Sequence, residues 1–370
     1  MGGTRSYHLR VVLTDDDGAV WDAFLTKVPR VSYHQSSLWA RVKAGQGWRS
    51  ALMTAIRDGC IHGGAQLLYR SMPLAGAVGF VPRGPVLASD DPALAAAVAV
   101  GLERLARACN VTYLVVQPPM ERADVVTPQL LRKGYRTAPD IMAPHVTTTR
   151  VLDLSRGEPA ILAGMRSSTR RNVRLAQRRG LTVREGGAAD LPAFYSLLAA
   201  TAQRRGLSRP PASFFDAAWT TMAPAGMLRM AVAEFDGEPV SAFLWLVLGD
   251  TMNCWLGAWS GEHRYRRPNE ALDWSGIRWA AGQGLQWYDF QGDSDYTRGF
   301  GGSHVTSPGP LEQVPNPLLR GLYPRALHRM LDTPTTSRLK QVIRTRGWPG
   351  SLKSIVYPVI VYLGLGLSPA

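Results

Sequence analysis

The order in which apolar runs and helical stretches alternate is the strongest constraint on this chain. Three short apolar stretches, Ala51–Ile56, Ala65–Tyr69 and Ala77–Val81, read as an antiparallel meander. An alanine-rich helix over Pro92–Ala108 follows. Then comes a continuous apolar strand, Val111–Val116, stopped by Pro118 and Pro119. The second half loosely repeats this order. Strands Leu228–Phe235 and Val240–Leu248 flank the turn Asp236-Gly237, and strand Met252–Ala258 completes the meander. Pro268 opens a helix reaching Gln283, Gly284 stops it, and the aromatic-rich strand Leu285–Phe290 follows. Each half is therefore mixed α/β, although the halves share no visible sequence repeat. A chain of 370 residues also exceeds one ordinary core and suggests two domains plus a tail.

The flanks fill in the rest. Leu9–Leu13 reads as a strand and Ala19–Leu25 as a helix. In YHQSSLWARVKAGQGW, Tyr33 to Trp48, Ser36 or Ser37 can cap a short helix carrying Trp39 and Lys43. Pro128–Lys133 is expected to start a short helix closed by Gly134, and Val146–Leu152 to form a strand. Pro159–Arg179 reads as one helix stopped by Gly180. Asp190 is placed to cap Leu191–Arg205, which Gly206 stops, and Ala212–Met222 is a third helix.

Charge is concentrated rather than spread. The chain carries +14. Ile161–Pro210 has ten Arg against two acids, and Arg320–Lys353 has eight Lys/Arg against one, so the remainder is near neutral. Two basic blocks on a neutral body point to two local contacts with phosphate or an anionic surface. Within the first block, Arg166, Arg170, Arg174 and Arg178 recur at i, i+4, i+8 and i+12, with Arg171 and Arg179 beside them. Such like-charge spacing disfavours an isolated helix by about 0.2–0.5 kcal/mol per pair, so the stripe is either a solvated face or a polyanion contact. In the second block, Arg338, Lys340, Arg344, Arg346 and Lys353 precede the apolar run Ser354–Leu367. That run is too short to span a bilayer and is interrupted by Pro358. It suits either a peripheral membrane contact or packing against protein.

Cys60, Cys109 and Cys254 are scattered and odd in number, which argues against a disulfide framework or a zinc site and for a reducing compartment. No signal peptide is visible, so the expected location is cytoplasmic, with the tail allowing a place at the inner membrane face. There is no GxSxG, HExxH, P-loop or GxGxxG. The histidines have no metal spacing, and His263 and His304 read as surface or loop residues.

The series RSSTRRNVRLAQRRG, DLPAFYSLLAATAQRRG, GAWSGEHRYRRPNEAL, WSGIRWAAGQGLQWYDFQG and RGFGG with VPNPLL, in that order, resembles the FemABX family. The resemblance runs from Tyr33 to Tyr323. It implies two tandem GNAT-like (acyl-CoA N-acyltransferase-like) α/β domains, over 1–148 and 149–303. A segment over 304–370 would return to the first domain and carry the tail. Only a short stretch joins Gly206 to Leu228, as in the compact form without a helical arm. The resemblance also implies transfer of an amino acid from aminoacyl-tRNA to a peptidoglycan precursor, with no cofactor and no metal. By this resemblance Lys43, Arg204 and Arg205 hold the precursor, Trp255 and Tyr296 line its groove, and Arg166, Arg170, Arg171, Arg174 and Arg178 meet phosphate of the precursor or the tRNA.

Two positions depart from the family pattern. Gln117, in VVQPP, stands where the family often has an acid, and glutamine takes no proton. Tyr296-Thr297 stand where Phe-Lys is common, leaving Arg298 as the nearest cation, and arginine does not simply replace lysine. The chemistry tolerates both. An ester donor is already activated, a free α-amine is partly neutral near pH 7, and positioning contributes about 7–11 kcal/mol. What is still needed is a donor for the developing oxyanion, for which Arg298 and the backbone around Gly301 are the candidates. Asp289 and Asp293 are the nearby acids. An acyl-CoA-dependent N-acyltransferase is the alternative, although RRPNEAL lacks the glycine-rich pyrophosphate turn. So is a tRNA-dependent enzyme acting on an amine-containing small molecule, and so is a non-catalytic nucleic-acid-binding protein.

Overall fold

The computed structural model describes residues 6–13, 18–72, 76–138, 147–206 and 209–314. The basic block from Arg320, the apolar run Ser354–Leu367 and most of VPNPLL lie outside the described residues. Two compact units divide at Thr147/Thr148 and at Thr306/Ser307.

The first unit runs β1 (His8–Val12), α1 (Gly18–Leu25), α2 (Ser37–Ala44), β2 (Arg49–Arg57), β3 (Cys60–Met72), β4 (Gly76–Val81), β5 (Val86–Leu87), α3 (Pro92–Ala108), β6 (Val111–Val116), α4 (Ala123–Arg132) and β7 (Arg136–Thr137). The second runs β8 (Thr148–Asp153), α5 (Gly157–Gly164), α6 (Ser167–Arg178), β9 (Leu181–Gly186), α7 (Leu191–Arg205), α8 (Ala212–Met222), β10 (Leu228–Phe235), β11 (Glu238–Leu248), β12 (Thr251–Trp259), α9 (Pro268–Gly282), β13 (Trp287–Asp289), α10 (Asp295–Arg298) and β14 (Ser303–Thr306). The chain then supplies β15 (Leu311–Gln313) to the first unit.

The two sheets share a plan. The first has the order β1-β2-β3-β4-β6-β15-β7, with β5 on β3, and the second β14-β8-β13-β12-β11-β10-β9. In each, an antiparallel meander leads through one crossover helix to a parallel neighbour: α3 joins β4 to β6 and α9 joins β12 to β13. In each, the strand beyond that parallel pair comes from a distant part of the chain. β15 lies between β6 and β7, and β8 between β13 and β14. The register of β12 with β13 covers only Thr251–Asn253 against Trp287–Asp289, after which β12 continues beside β11 without β13, so the β12/β13 pair opens toward its C-terminal end. Crevices at the carboxyl ends of parallel strands are where open α/β sheets bind ligands.

Each crossover helix buries one face. Leu94, Val98, Leu102 and Leu105 of α3 pack with Met53, Leu67 and Leu114. Leu272, Ile277 and Ala280 of α9 pack with Trp245, Tyr288 and Phe300. Ser36 caps α2 by accepting from Trp39 N, and Asp91 caps α3 with Pro92 at its first position, as residue chemistry dictates.

Three expectations need correction. The helix expected over Pro159–Arg179 is two helices, α5 and α6, because Met165 and Arg166 are extended, at ψ 150° and ψ 145°. The break is stabilised by Arg170, whose Nη1 donates to the carbonyls of Leu162, Ala163 and Met165 at 3.2, 2.9 and 2.7 Å. Carbonyls at a helix end lack intrahelical partners, and of these three Leu162 O also accepts from Met165 N at 3.3 Å. Second, Pro128 lies inside α4 rather than opening it. As the sixth of ten residues it lacks the N–H that would bond Asp124 O, so the helix gives up one interior backbone bond. Third, Asp190 makes no side-chain cap on α7. Its carboxylate accepts from Gly187 N and pairs with Arg184.

Candidate functional site

The open end of the β12/β13 pair gathers polar groups from four elements. β13 runs into a loop that carries Gln291 and Asp293, then into α10 with Tyr296 and Arg298, then into Gly299–Gly302. This loop is pinned to the α5/α6 junction. Arg166 N donates to Gly299 O at 2.9 Å, and the Arg166 guanidinium pairs with Asp295 at 2.7 Å. Gly301 has φ +85°, and a Cβ there would lie 2.7 Å from Gly164 O, so both backbone angle and close approach require glycine. Arg166, Tyr296, Arg298 and Gly301 therefore share one corner of the second unit.

Beneath this corner lies a group the sequence reading missed. Asp273 of α9 is 1% exposed. Its Oδ1 accepts from Tyr288 OH at 2.7 Å and its Oδ2 from Tyr296 OH at 2.6 Å, while Trp245 Nε1 donates to Tyr288 OH at 2.8 Å. Burial pushes the Asp273 carboxyl up to about 7, against the pull of the two phenols. Burial likewise raises Tyr288, Tyr296 and Cys254 above their ordinary values. Tyr296 is 39% exposed as a residue, yet its hydroxyl points inward to the carboxylate. The signal for Asp273 was present in the sequence. It is an acid among Leu272, Gly276, Ile277 and Ala280, on the face that helical periodicity assigns to the core.

Asp293 is the hub of the loop. Arg298 is its strongest partner and holds it well below the usual carboxylate range, with Arg150 and His304 adding to the effect. Asp289 is buried differently. It accepts from Thr149 Oγ1 at 2.5 Å and from Gln291 N at 2.7 Å.

The other expected residues lie elsewhere. Trp255 is the extra residue of a bulge in β12, since Leu244 faces Leu256 and Trp245 faces Cys254. Its ring meets Phe214 and Phe215 of α8 at 5.9 and 6.0 Å. Arg204 closes the end of β12, donating to the carbonyls of Trp259 and Ser260 at 2.6 Å each, with its guanidinium 4.9 Å above the Trp259 ring. Desolvation, and then Arg205, lower the Arg204 value. Lys43 belongs to the first unit. Its Nζ donates to Gln46 Oε1 at 2.7 Å beside the Trp39 ring. The residue is half-buried, but its ammonium is withdrawn from water, which pulls it down to about 8. Gln117 is fully buried, its backbone bridging Val81 O and Gly84 N.

The arginine stripe divides by what its side chains meet. Thr169, Val173 and Ala176 face the core, and Arg170 is spent on the end of α5. Arg171, Arg174 and Arg178 are exposed on the opposite face at i, i+3 and i+7, without an ion pair among the described residues. The start of α9 is unfit for a pyrophosphate. Arg267 and Pro268 open it, Pro268 has no N–H to offer, and Glu270 in the first turn is paired with Asn172 and Arg267. Among the described residues no group of acidic, His and Cys side chains could hold a metal ion, and no helix is long and apolar enough to cross a membrane.

Comparison with known proteins gives two family matches. Residues 17–129 match the FemAB family, and residues 163–298 match the acetyltransferase (GNAT) domain. Lipid II:glycine glycyltransferase of Staphylococcus aureus (strain COL) is 26% identical over 226 residues, 58% of this chain and 53% of that protein. The same enzyme of strain USA300 is 25% identical over the same shares. The chain thus spans about half the length of the curated relatives it matches. Among solved structures, FemX superposes with a TM-score of 0.73 at 17% identity, covering 85% of this chain and 98% of its own. A tandem GNAT protein from the clavulanic acid biosynthesis pathway superposes at 0.50 with 14% identity, covering 84% of this chain and 99% of its own. Two tandem GNAT-like α/β folds are therefore the architecture of this chain.

Proposed function

We propose that this chain, whose residues 17–129 match the FemAB family, moves an amino acid from aminoacyl-tRNA to an amine of a peptidoglycan precursor, forming an amide bond. The observation that carries this reading is the corner at the open end of β12/β13. There an exposed guanidinium, Arg298, and the glycine-rich backbone through Gly301 meet the carboxyl ends of parallel strands. The amine attacks the ester carbonyl, and these groups receive the negative charge that develops on its oxygen. Tyr296 borders the reacting groups. Lys43, in the first unit, is the proposed contact for acceptor phosphate; Arg204, Arg205 and Trp255, in the second, are the acceptor contacts that the family resemblance implies.

The exposed face of Arg171, Arg174 and Arg178 supports a polyanionic donor, with Arg166 and Arg170 shaping the helix start beneath it. The basic tail is a further proposed contact, with anionic lipid at the inner membrane face. Acyl-CoA is disfavoured because Pro268 and Glu270 occupy the helix start where its pyrophosphate would sit. Radiolabelled aminoacyl-tRNAs offered with UDP-linked precursor, lipid-linked precursor and small amines test the proposal. Amide product from charged tRNA is expected. Product from acyl-CoA alone refutes the donor, and product with small amines alone refutes the acceptor.

A further inference from the structure

Asp293 joins two exposed functional groups that the sequence reading kept apart. Its Oδ1 accepts from Arg150 Nε at 3.2 Å and from Arg298 Nε at 3.1 Å. Its Oδ2 meets Arg298 Nη2 at 3.4 Å and His304 Nδ1 at 2.5 Å. The Asp293 side chain is only 3% exposed, covered by these polar partners rather than by apolar core, while Arg298 and His304 are each 50% exposed. An ionised carboxylate only accepts, so Nδ1 of the neutral imidazole carries the hydrogen and Nε2 keeps its lone pair. That lone pair is met by Thr306 Oγ1 at 3.0 Å. With one carboxylate against two guanidiniums, the cluster has an excess positive charge when the imidazole is neutral.

We propose that His304 is the general base of the transfer, oriented by Asp293, with Arg298 on the same carboxylate holding the oxyanion. The inference rests on the aminoacyl-transfer reading above. The geometry satisfies the requirements for such a base. Its ring is oriented by a third group, its second nitrogen is met by a hydroxyl that an amine can replace, and the Arg298 guanidinium shares Asp293 Oδ2 with it. In the step, the acceptor amine displaces the Thr306 hydroxyl at Nε2. A C–N bond forms as Nε2 takes one amine proton. The C–O bond to the tRNA ribose then breaks, and the same proton passes from Nε2 to the departing ribose oxygen. No proton is gained or lost overall, and no further reactant is needed. Asp293 from the loop after β13, Arg298 from α10 and Arg150 from β8 are the charged groups around the imidazole, and Thr306 shares its strand.

The test is the pH dependence of transfer from charged tRNA by the full chain. The variants are His304→Ala, with and without added imidazole, and Asp293→Asn, with circular dichroism as a check on folding. His304→Ala is expected to lose about 10²–10⁴-fold in kcat. It should flatten the acidic limb of the profile and recover in part with imidazole. Asp293→Asn, a change at a positioning residue, should lower kcat far more than it raises KM. An unchanged acidic limb in a folded, active His304→Ala overturns the inference and leaves the transfer reading standing. So does an aminoacyl group found covalently on Thr306, which would make that hydroxyl a nucleophile. Absence of transfer by the unmodified chain overturns both.

Discussion

Replacing Asp273 by Asn should remove a pH dependence of stability from the second unit. Burial holds the carboxyl up at about 7 in the folded chain, against an ordinary value of 3.8. Between those values the folded state holds one proton more than the unfolded state, so stability falls as pH rises through the window and is level above it. At about 1.4 kcal/mol per unit the full span is about 4 kcal/mol, of which about 2–3 kcal/mol lies between pH 5 and pH 7. The carboxylates held low, Asp190 and Asp293, titrate below this interval and are common to both proteins. Hydrogen exchange of β12 and α9 peptides, corrected for intrinsic rates, reads the opening free energy of this unit. The unmodified chain should lose protection from pH 5 to pH 7, and Asp273→Asn should be flat. Tyr296→Phe removes a donor that favours the ionised form and should carry the fall to higher pH. Parallel pH profiles for the unmodified chain and Asp273→Asn would refute the argument.

Changing Arg171, Arg174 and Arg178 together to Gln should weaken tRNA binding and reduce the slope of log K against log salt by about 2–3, measured by filter binding. Arg170→Ala should instead cost about 1–3 kcal/mol in urea denaturation, from orphaned α5 carbonyls, while the salt slope holds. Because the Lys43 ammonium is lost as pH rises through about 8, precursor affinity should fall between pH 7 and pH 9. Lys43→Arg should keep its charge across that range, and isothermal titration against UDP-linked precursor separates the two.

The meanders, both crossover helices, the cap at Ser36 and the helix start at Pro268 were legible because each rests on local chemistry: apolar period, turn residues, a capping oxygen and a proline at the first helical position. The α5/α6 break was not. It depends on one guanidinium reaching back to three carbonyls, and nothing in the spacing of arginines distinguishes a residue spent on a helix end from one left in solvent. The site divides in the same way. Arg298 and Gly301 stand out from their loop composition. His304 looks like any loop histidine until Asp293, eleven positions earlier in the chain, is seen at 2.5 Å. Asp273 was the exception, since an acid on an apolar helical face needs a partner wherever it is found.

The placing of β15 has a consequence for synthesis. Leu311–Gln313 completes a sheet begun about three hundred residues earlier, and buried Glu312 accepts from Tyr113 OH at 2.6 Å. A ribosome releases β6 and β7 long before their common neighbour exists, so those strand edges wait through the translation of the entire second unit. The second unit, in contrast, is one uninterrupted stretch and can close as it emerges. Fragments should behave accordingly: residues 148–306 form a portable piece, whereas a piece ending near residue 147 would expose two open strand edges and tend to self-associate.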